Sequence, residues 1–432
     1  MTRRLFIFTF IFALNTVNAF AQSVTDDLMK TILNSVQETV TQKIIENPNE
    51  YRVQIIYTQI DRKKKDKPVF KNYHFNVDPN LYFNPASMVK MPLAFLSLEK
   101  LNDIKNPGVN KFTRMEYDSN YVRQVAMKND SSAEFGHASI AHFIKRSLLI
   151  SENDPYNRMY QFLGQQDANK KLIGKGYTSS RITRQFMGYT EEQNRHTNGI
   201  RFLDRNGKVI HTQSPQFNTD SFSFPSPILI GNAHINREDQ LVNSPFDFTK
   251  HNNISLEDMR KMVQAVVFPE SVDKKYRFNI TEEDRLFLLQ YMSQYPSETN
   301  YPKYDTTIFY DSYVKFFFGD SSHTMPNHIR VFNKVGWAYG FMTDVSYIID
   351  TKNNIDFMLA ATVYVNSDGV VNDSKYDEET IGFPFFEQIG RAFYEYDLQR
   401  KRSYQPVLKN QVQSYEKRDP LDKRPSIKQA DN

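Results

Sequence analysis

The 432-residue sequence predicts an α+β fold, an α/β/α sandwich on a five-stranded antiparallel sheet with an added, mostly helical subdomain. Three observations carry this. Apolar residues recur at helical spacing near both ends of the chain. Two strand-like runs follow the first helix, and three more precede the last. The long stretch between the two strand groups reads mostly as helix. Two strands and three can join into one sheet, with the terminal helices packed on one face.

Taken in order, Thr25 is a candidate cap for a first helix, with Asp26 and Asp27 in its first turn. Leu28, Ile32, Leu33, Val36, Val40 and Ile44 then keep helical spacing up to Asn47-Pro48. Runs 51–60 and 70–76, joined by the charged turn 61–67, read as a hairpin. Helices follow over 88–101, 140–149 and 156–163. Residues 188–253 are rich in Asn, Ser, Pro and Phe and read as a loop-rich insertion, with Asn206-Gly207 marking a small hairpin. Ser255 and Thr281 open two more helices. Runs 329–334, 342–350 and 357–366 form a meander, and Pro384 to Tyr396 form the last helix.

Composition narrows the function. Hydrophobic residues make up 40% and charged residues 24%, values of a folded chain. The net charge of +4 comes from the chain ends, so the body is close to neutral and offers no case for nucleic acid. Residues 1–21 read as a secretory signal. Arg3 and Arg4 precede the short apolar run Leu5 to Leu14, and Ala19-Phe20-Ala21 forms a cleavage site. The expectation is a periplasmic or secreted protein starting at Gln22. No later segment is apolar enough to span a membrane. Residues 397–432, basic and proline-containing, read as a mobile polar tail. The oligomeric state is not legible.

Cysteine is absent, which excludes a thiolate nucleophile and thiolate metal ligands. H-E-x-x-H, G-x-S-x-G and the P-loop are also missing. No metal site and no cofactor are implied. A nucleophile must then come from another side chain or from water. Ser87-Met88-Val89-Lys90 opens a helix, and residues three apart share a helix face. A serine hydroxyl needs a base, and a lysine can be one if burial or nearby positive charge lowers its pKa. Ser-x-x-Lys alone says little, since it recurs at Ser97, Ser271, Ser312 and Ser414. Ser151-Glu152-Asn153, however, is the single Ser-x-Asn in the chain, in a loop before a helix. Lys334-Val335-Gly336 is the single Lys-x-Gly, at the end of a strand.

In that order and context the three motifs resemble those of the serine β-lactamase and penicillin-binding protein superfamily, and most of all class A β-lactamases. The likeness extends over roughly residues 25–396, with helical subdomain residues at about 87–328. It implies a β-lactamase/transpeptidase-like fold and an exported serine hydrolase that opens an amide, with β-lactams as substrate class, through an acyl-enzyme at Ser87. By resemblance, Lys90 exchanges the Ser87 proton and Ser151 passes a proton to the leaving nitrogen. Asn153 binds the substrate side-chain amide, and Lys334 orients Ser151 and attracts the substrate carboxylate. The N–H groups of Ser87 and Trp337 resemble the oxyanion hole, and Gly336 leaves room for substrate.

Two positions depart from the pattern. Val335 replaces a hydroxyl residue that helps bind the substrate carboxylate. Phe186 falls near the place of the deacylating glutamate, while Glu191 and Glu192 come a few residues late. These two are candidates for the deacylating base and equally plausible as solvated charges. A D-alanyl-D-alanine peptidase acting on a peptidoglycan peptide is the alternative on the same machinery. A non-catalytic envelope-binding protein that keeps the fold is the alternative from a different class.

Overall fold

The computed structural model describes residues 23–430 apart from Pro225, Asp320 and Ser321. The expected signal segment lies outside the described residues. Five antiparallel strands form the central sheet, in the order Ile329–Ala338, Phe341–Asp350, Ile355–Tyr364, Gln54–Lys63 and Lys67–Phe75. Chain-distant strands pair at its centre, where Gln54 lies opposite Thr362 and Gln59 opposite Phe357. Pro68, which has no N–H for a ladder, falls on the outer strand.

Side chains alternate across a strand, so the sheet separates two apolar layers. Val331, Val335, Met342, Leu359 and Val363 face one core, shared with Phe385, Ile389 and Phe393 of the terminal helix Phe383–Gln399. Phe332, Val345, Tyr347, Met358 and Ala360 face the other, filled by helices of the middle of the chain. The central one, Lys90–Asp103, is buried on nearly every side, so its sequence shows no clean polar face. Ser255 and Thr281 cap helices Leu256–Val267 and Glu282–Ser293, each hydroxyl accepting from the backbone N–H three residues on.

Three sequence expectations change. The first helix is two, Asp27–Asn34 and Thr39–Glu46, because the Ser35 hydroxyl turns back onto the Ile32 carbonyl and ends the first. Thr25 accepts from the Asn76 N–H instead of capping. The polar tail lies along the body. Arg418 donates to the carbonyls of Pro296, Thr299 and Tyr304, and Ile427 pairs with Tyr304 in a parallel bridge. Composition predicts mobility there because polar side chains that bind backbone carbonyls leave no apolar pattern.

In the insertion, strands Ile200–Leu203 and Val209–Gln213 pair across Asn206-Gly207, and Arg114–Tyr117 adds a third strand. Strand Ala233–Ile235 runs parallel to Val370–Val371, tying the insertion to the loop that leaves the main sheet.

Candidate active site

A single turn of 3-10 helix, Ala86–Val89, leads into helix Lys90–Asp103. The Asn84 side chain accepts from the Ala86 N–H at 2.8 Å and shapes the entry. Three-residue spacing then sets Lys90 Nζ 2.8 Å from Ser87 Oγ. Ser151 lies in the loop between helices Ile140–Leu149 and Asn153–Leu163, with φ at +68°, a conformation costing a non-glycine residue about 1–3 kcal/mol. Lys90 holds that loop. Its amine contacts the Ser151 carbonyl, lies 2.7 Å from Asn153 Oδ1 and 3.3 Å from Ser151 Oγ. Burial, and next the Lys334 charge, push the Lys90 pKa well below its usual 10.5.

Lys334 arrives from the edge strand Ile329–Ala338, with Nζ 2.8 Å from Ser151 Oγ. Burial lowers its pKa to about 7. Two residues on, Gly336 packs directly on the Ser87 turn. A Cβ there would stand 2.5 Å from the Pro85 carbonyl oxygen and 3.0 Å from the Ser87 nitrogen. Between them Val335 points to the other side of the sheet and is fully buried in the terminal-helix core. Trp337 comes next and packs on Phe316.

These groups open onto a cleft of about 480 Å³, lined by Ser87, Asn153 and Trp337, within the size range of small-molecule sites. Phe186 also lines it. Its ring stacks on Tyr156 at 4.4 Å, and its centre lies 5.2 Å from Lys90 Nζ. Among the described residues no acidic side chain lines the cleft. Glu191 pairs with Lys250 and Glu192 with His196, both exposed, so neither is brought to Ser87. Glu152 points away from the cleft, toward Arg146 and the Tyr304 hydroxyl. Arg184, His251 and Asn252 line the far end; of these the sequence offers only Arg184, in the segment Arg181-Ile182-Thr183-Arg184 that resembles the approach to the loop of the deacylating glutamate. His251 and Asn252 lie at the end of the insertion in no recognisable motif, and no local signal marks them.

A low-pKa amine beside a hydroxyl, with a second hydroxyl shared between two amines, is an arrangement that can activate an oxygen nucleophile and return its proton. A model of the β-lactamase enzyme family matches residues 37–396. The chain belongs to the β-lactamase enzyme family.

As a β-lactamase-family protein it is a serine hydrolase acting on amide bonds. Similar solved structures share little sequence. The β-lactamase from Sphaerobacter thermophilus is 12% identical, over 85% of this chain and 97% of that one, with a TM-score of 0.44. A β-lactamase from Burkholderia vietnamiensis is 10% identical, over 84% and 98%, with a TM-score of 0.45. A point mutant of PBP-A, an acyl-enzyme complex with penicillin G, is 12% identical, over 84% and 96%, with a TM-score of 0.43. No curated protein matches the chain. No helix among the described residues is long and apolar enough to cross a membrane.

Proposed function

We propose that this is an exported, class A-like serine hydrolase that takes the acyl group of a β-lactam onto Ser87 and releases it slowly. The 2.8 Å contact between a fully buried, low-pKa Lys90 and Ser87 Oγ carries the reading. In the forward step neutral Lys90 accepts the Ser87 proton while Oγ bonds to the amide carbon. The N–H groups of Ser87 and Trp337 hold the oxyanion. The C–N bond then breaks as the Ser151 hydroxyl gives its proton to the leaving nitrogen. Lys90, 3.3 Å from Ser151 Oγ, returns the proton it took, so the amine is neutral again in the acyl-enzyme. Asn153 binds the side-chain amide, and Lys334 holds Ser151 and attracts the leaving-side carboxylate.

Hydrolysis of the ester needs a base for water. Among the described residues the cleft offers no carboxylate, and the ring of Phe186 stands over Lys90. That observation favours a penicillin-binding, peptidoglycan-peptide role over rapid antibiotic destruction. Incubation with a chromogenic cephalosporin, followed by intact-mass analysis, tests both parts. The expected result is a covalent adduct on the wild type, absent from Ser87→Ala, that outlasts substrate hydrolysis in solution. No adduct and no turnover would defeat the reading. Export is tested by N-terminal sequencing of the mature protein, which should begin at Gln22.

A further inference from the structure

Beyond Trp337 the cleft reaches a charge that the acylation chemistry leaves unused. Arg184 is the one charged side chain lining it among the described residues, and none of those residues offers it a carboxylate. Its Nη1 instead donates to the His251 ring, 2.8 Å from Nε2. Burial, and next the Arg184 charge, hold the His251 pKa down to about 3, so the imidazole is neutral and the guanidinium charge stays uncompensated. The rest of the polar lining is amide and hydroxyl.

Arg184 is also built into place. The buried Asn252 side chain accepts from its N–H at 3.1 Å and donates to its carbonyl at 3.2 Å. These bonds fix the backbone at Arg184, the His251 ring steadies the guanidinium, and a fork so placed matches a carboxylate in two-point contact.

The edge strand gives the direction. Gly336 marks Ser87, and Lys334 lies before it at Ser151. Tyr339 lies three residues after it, with its ring 6.2 Å from that of His251. At about 3.3 Å per strand residue up to Ala338, where the strand ends, the Arg184 end lies several ångströms beyond Ser87, on the side away from Lys334. Lys334 serves the leaving side of the scissile bond. The opposite end then receives the acyl side, the part that stays on Ser87.

We propose that Arg184, steadied by His251 and Asn252, is a subsite for a carboxylate on the acyl portion of the substrate. The inference deepens the acyl-enzyme reading and rests on it for the orientation of the substrate. Such a protein selects acidic acyl groups, as a peptide stem with a free side-chain carboxylate would supply.

Benzylpenicillin and carbenicillin differ by one carboxylate on the acyl side chain and make a matched pair. Acylation rates are read by intact mass for the wild type, Arg184→Gln and Arg184→Lys. The wild type should favour carbenicillin by about tenfold, Arg184→Gln should bring the ratio near one, and Arg184→Lys should keep part of it. A second arm needs no acylation. Ser87→Ala is titrated by calorimetry with phenylmalonic acid monoamide and with phenylacetamide, which differ by the same carboxylate. The monoamide should bind more tightly, and Arg184→Gln in that background should remove the difference. Equal rates and equal binding in the parent proteins, or a preference that survives Arg184→Gln, would overturn the subsite. If neither penicillin labels the wild type, the acyl-enzyme reading fails, while the amide pair still decides the subsite. Thermal melts of each variant report folding, and the lysine variant covers the case in which the glutamine one unfolds.

Discussion

The Lys90 amine nitrogen lies over the ring of Phe186, 5.2 Å from its centre. An aromatic face attracts a cation through its quadrupole but cannot accept a proton from water. In the proposed mechanism, Lys90 thus has a neighbour that offers the hydrolysis step no base.

Exchanging that ring for a carboxylate separates the two steps. Phe186→Glu should speed decay of the acyl-enzyme by about 10²–10⁴-fold, the usual contribution of a placed general base. It should also cost about 1–3 kcal/mol, because the stacking on Tyr156 is lost. Decay is followed by intact mass, with Phe186→Gln as the control for the lost ring. Equal decay in both variants would show that the position is not where water is activated.

Acylation should follow a bell in pH. Lys90 must be neutral, so the rate rises with pH through its depressed pKa. Lys334 titrates at about 7, and above that pH it loses the charge that orients Ser151. The rate should then fall on the alkaline side. Lys334→Met should be slower throughout and lack the alkaline limb. A wild-type rate that climbs without a break through pH 7 would contradict these assignments.

Gly336→Ala should abolish labelling while most of the fold survives. The added Cβ would stand 2.5 Å from the Pro85 carbonyl oxygen, a backbone atom that cannot swing away. The strand or the Ser87 turn must shift, and a displacement of about 1 Å at a reacting group can cost on the order of 100-fold. A labelling rate within twofold of wild type would mean that the two segments separate freely.

The tail should behave as part of the body. Arg418→Ala removes a donor from the carbonyls of Pro296, Thr299 and Tyr304 and should cost about 1–3 kcal/mol. The Tyr304 hydroxyl in turn bonds Glu152, next to Ser151. Removal of residues 413–430 should therefore lower Tm and slow acylation together. Unchanged values of both would return the tail to a passive role.

Much of this was legible from spacing. Ser87 and Lys90 sit one helical turn apart, so sequence distance and spatial distance coincide. Four of the five strands were legible from their apolar runs, and the outer one, Lys67–Phe75, from the charged turn that sets it off. Capping residues marked Ser255 and Thr281 for the same local reason. His251 and Asn252 were hidden, since their meeting with Arg184 depends on how the two ends of the insertion return to one place. Glu191 and Glu192 stood near the right position in sequence, yet helix Glu191–Arg195 turns them to solvent. Val335 shows the limit of a motif. Its neighbours Lys334 and Gly336 face Ser151 and the Ser87 turn, while strand alternation sends it into the opposite core.

The pairing of Gln54–Lys63 with Ile355–Tyr364 also bears on how the protein is made. The centre of the sheet joins segments some three hundred residues apart, a loop closure that nascent chain cannot perform until its last quarter has been synthesised. Lys334 comes from that same last quarter. A partly translated chain thus carries Ser87 and Lys90 without the edge-strand amine that meets Ser151, and the three segments can converge only once that last quarter has been made.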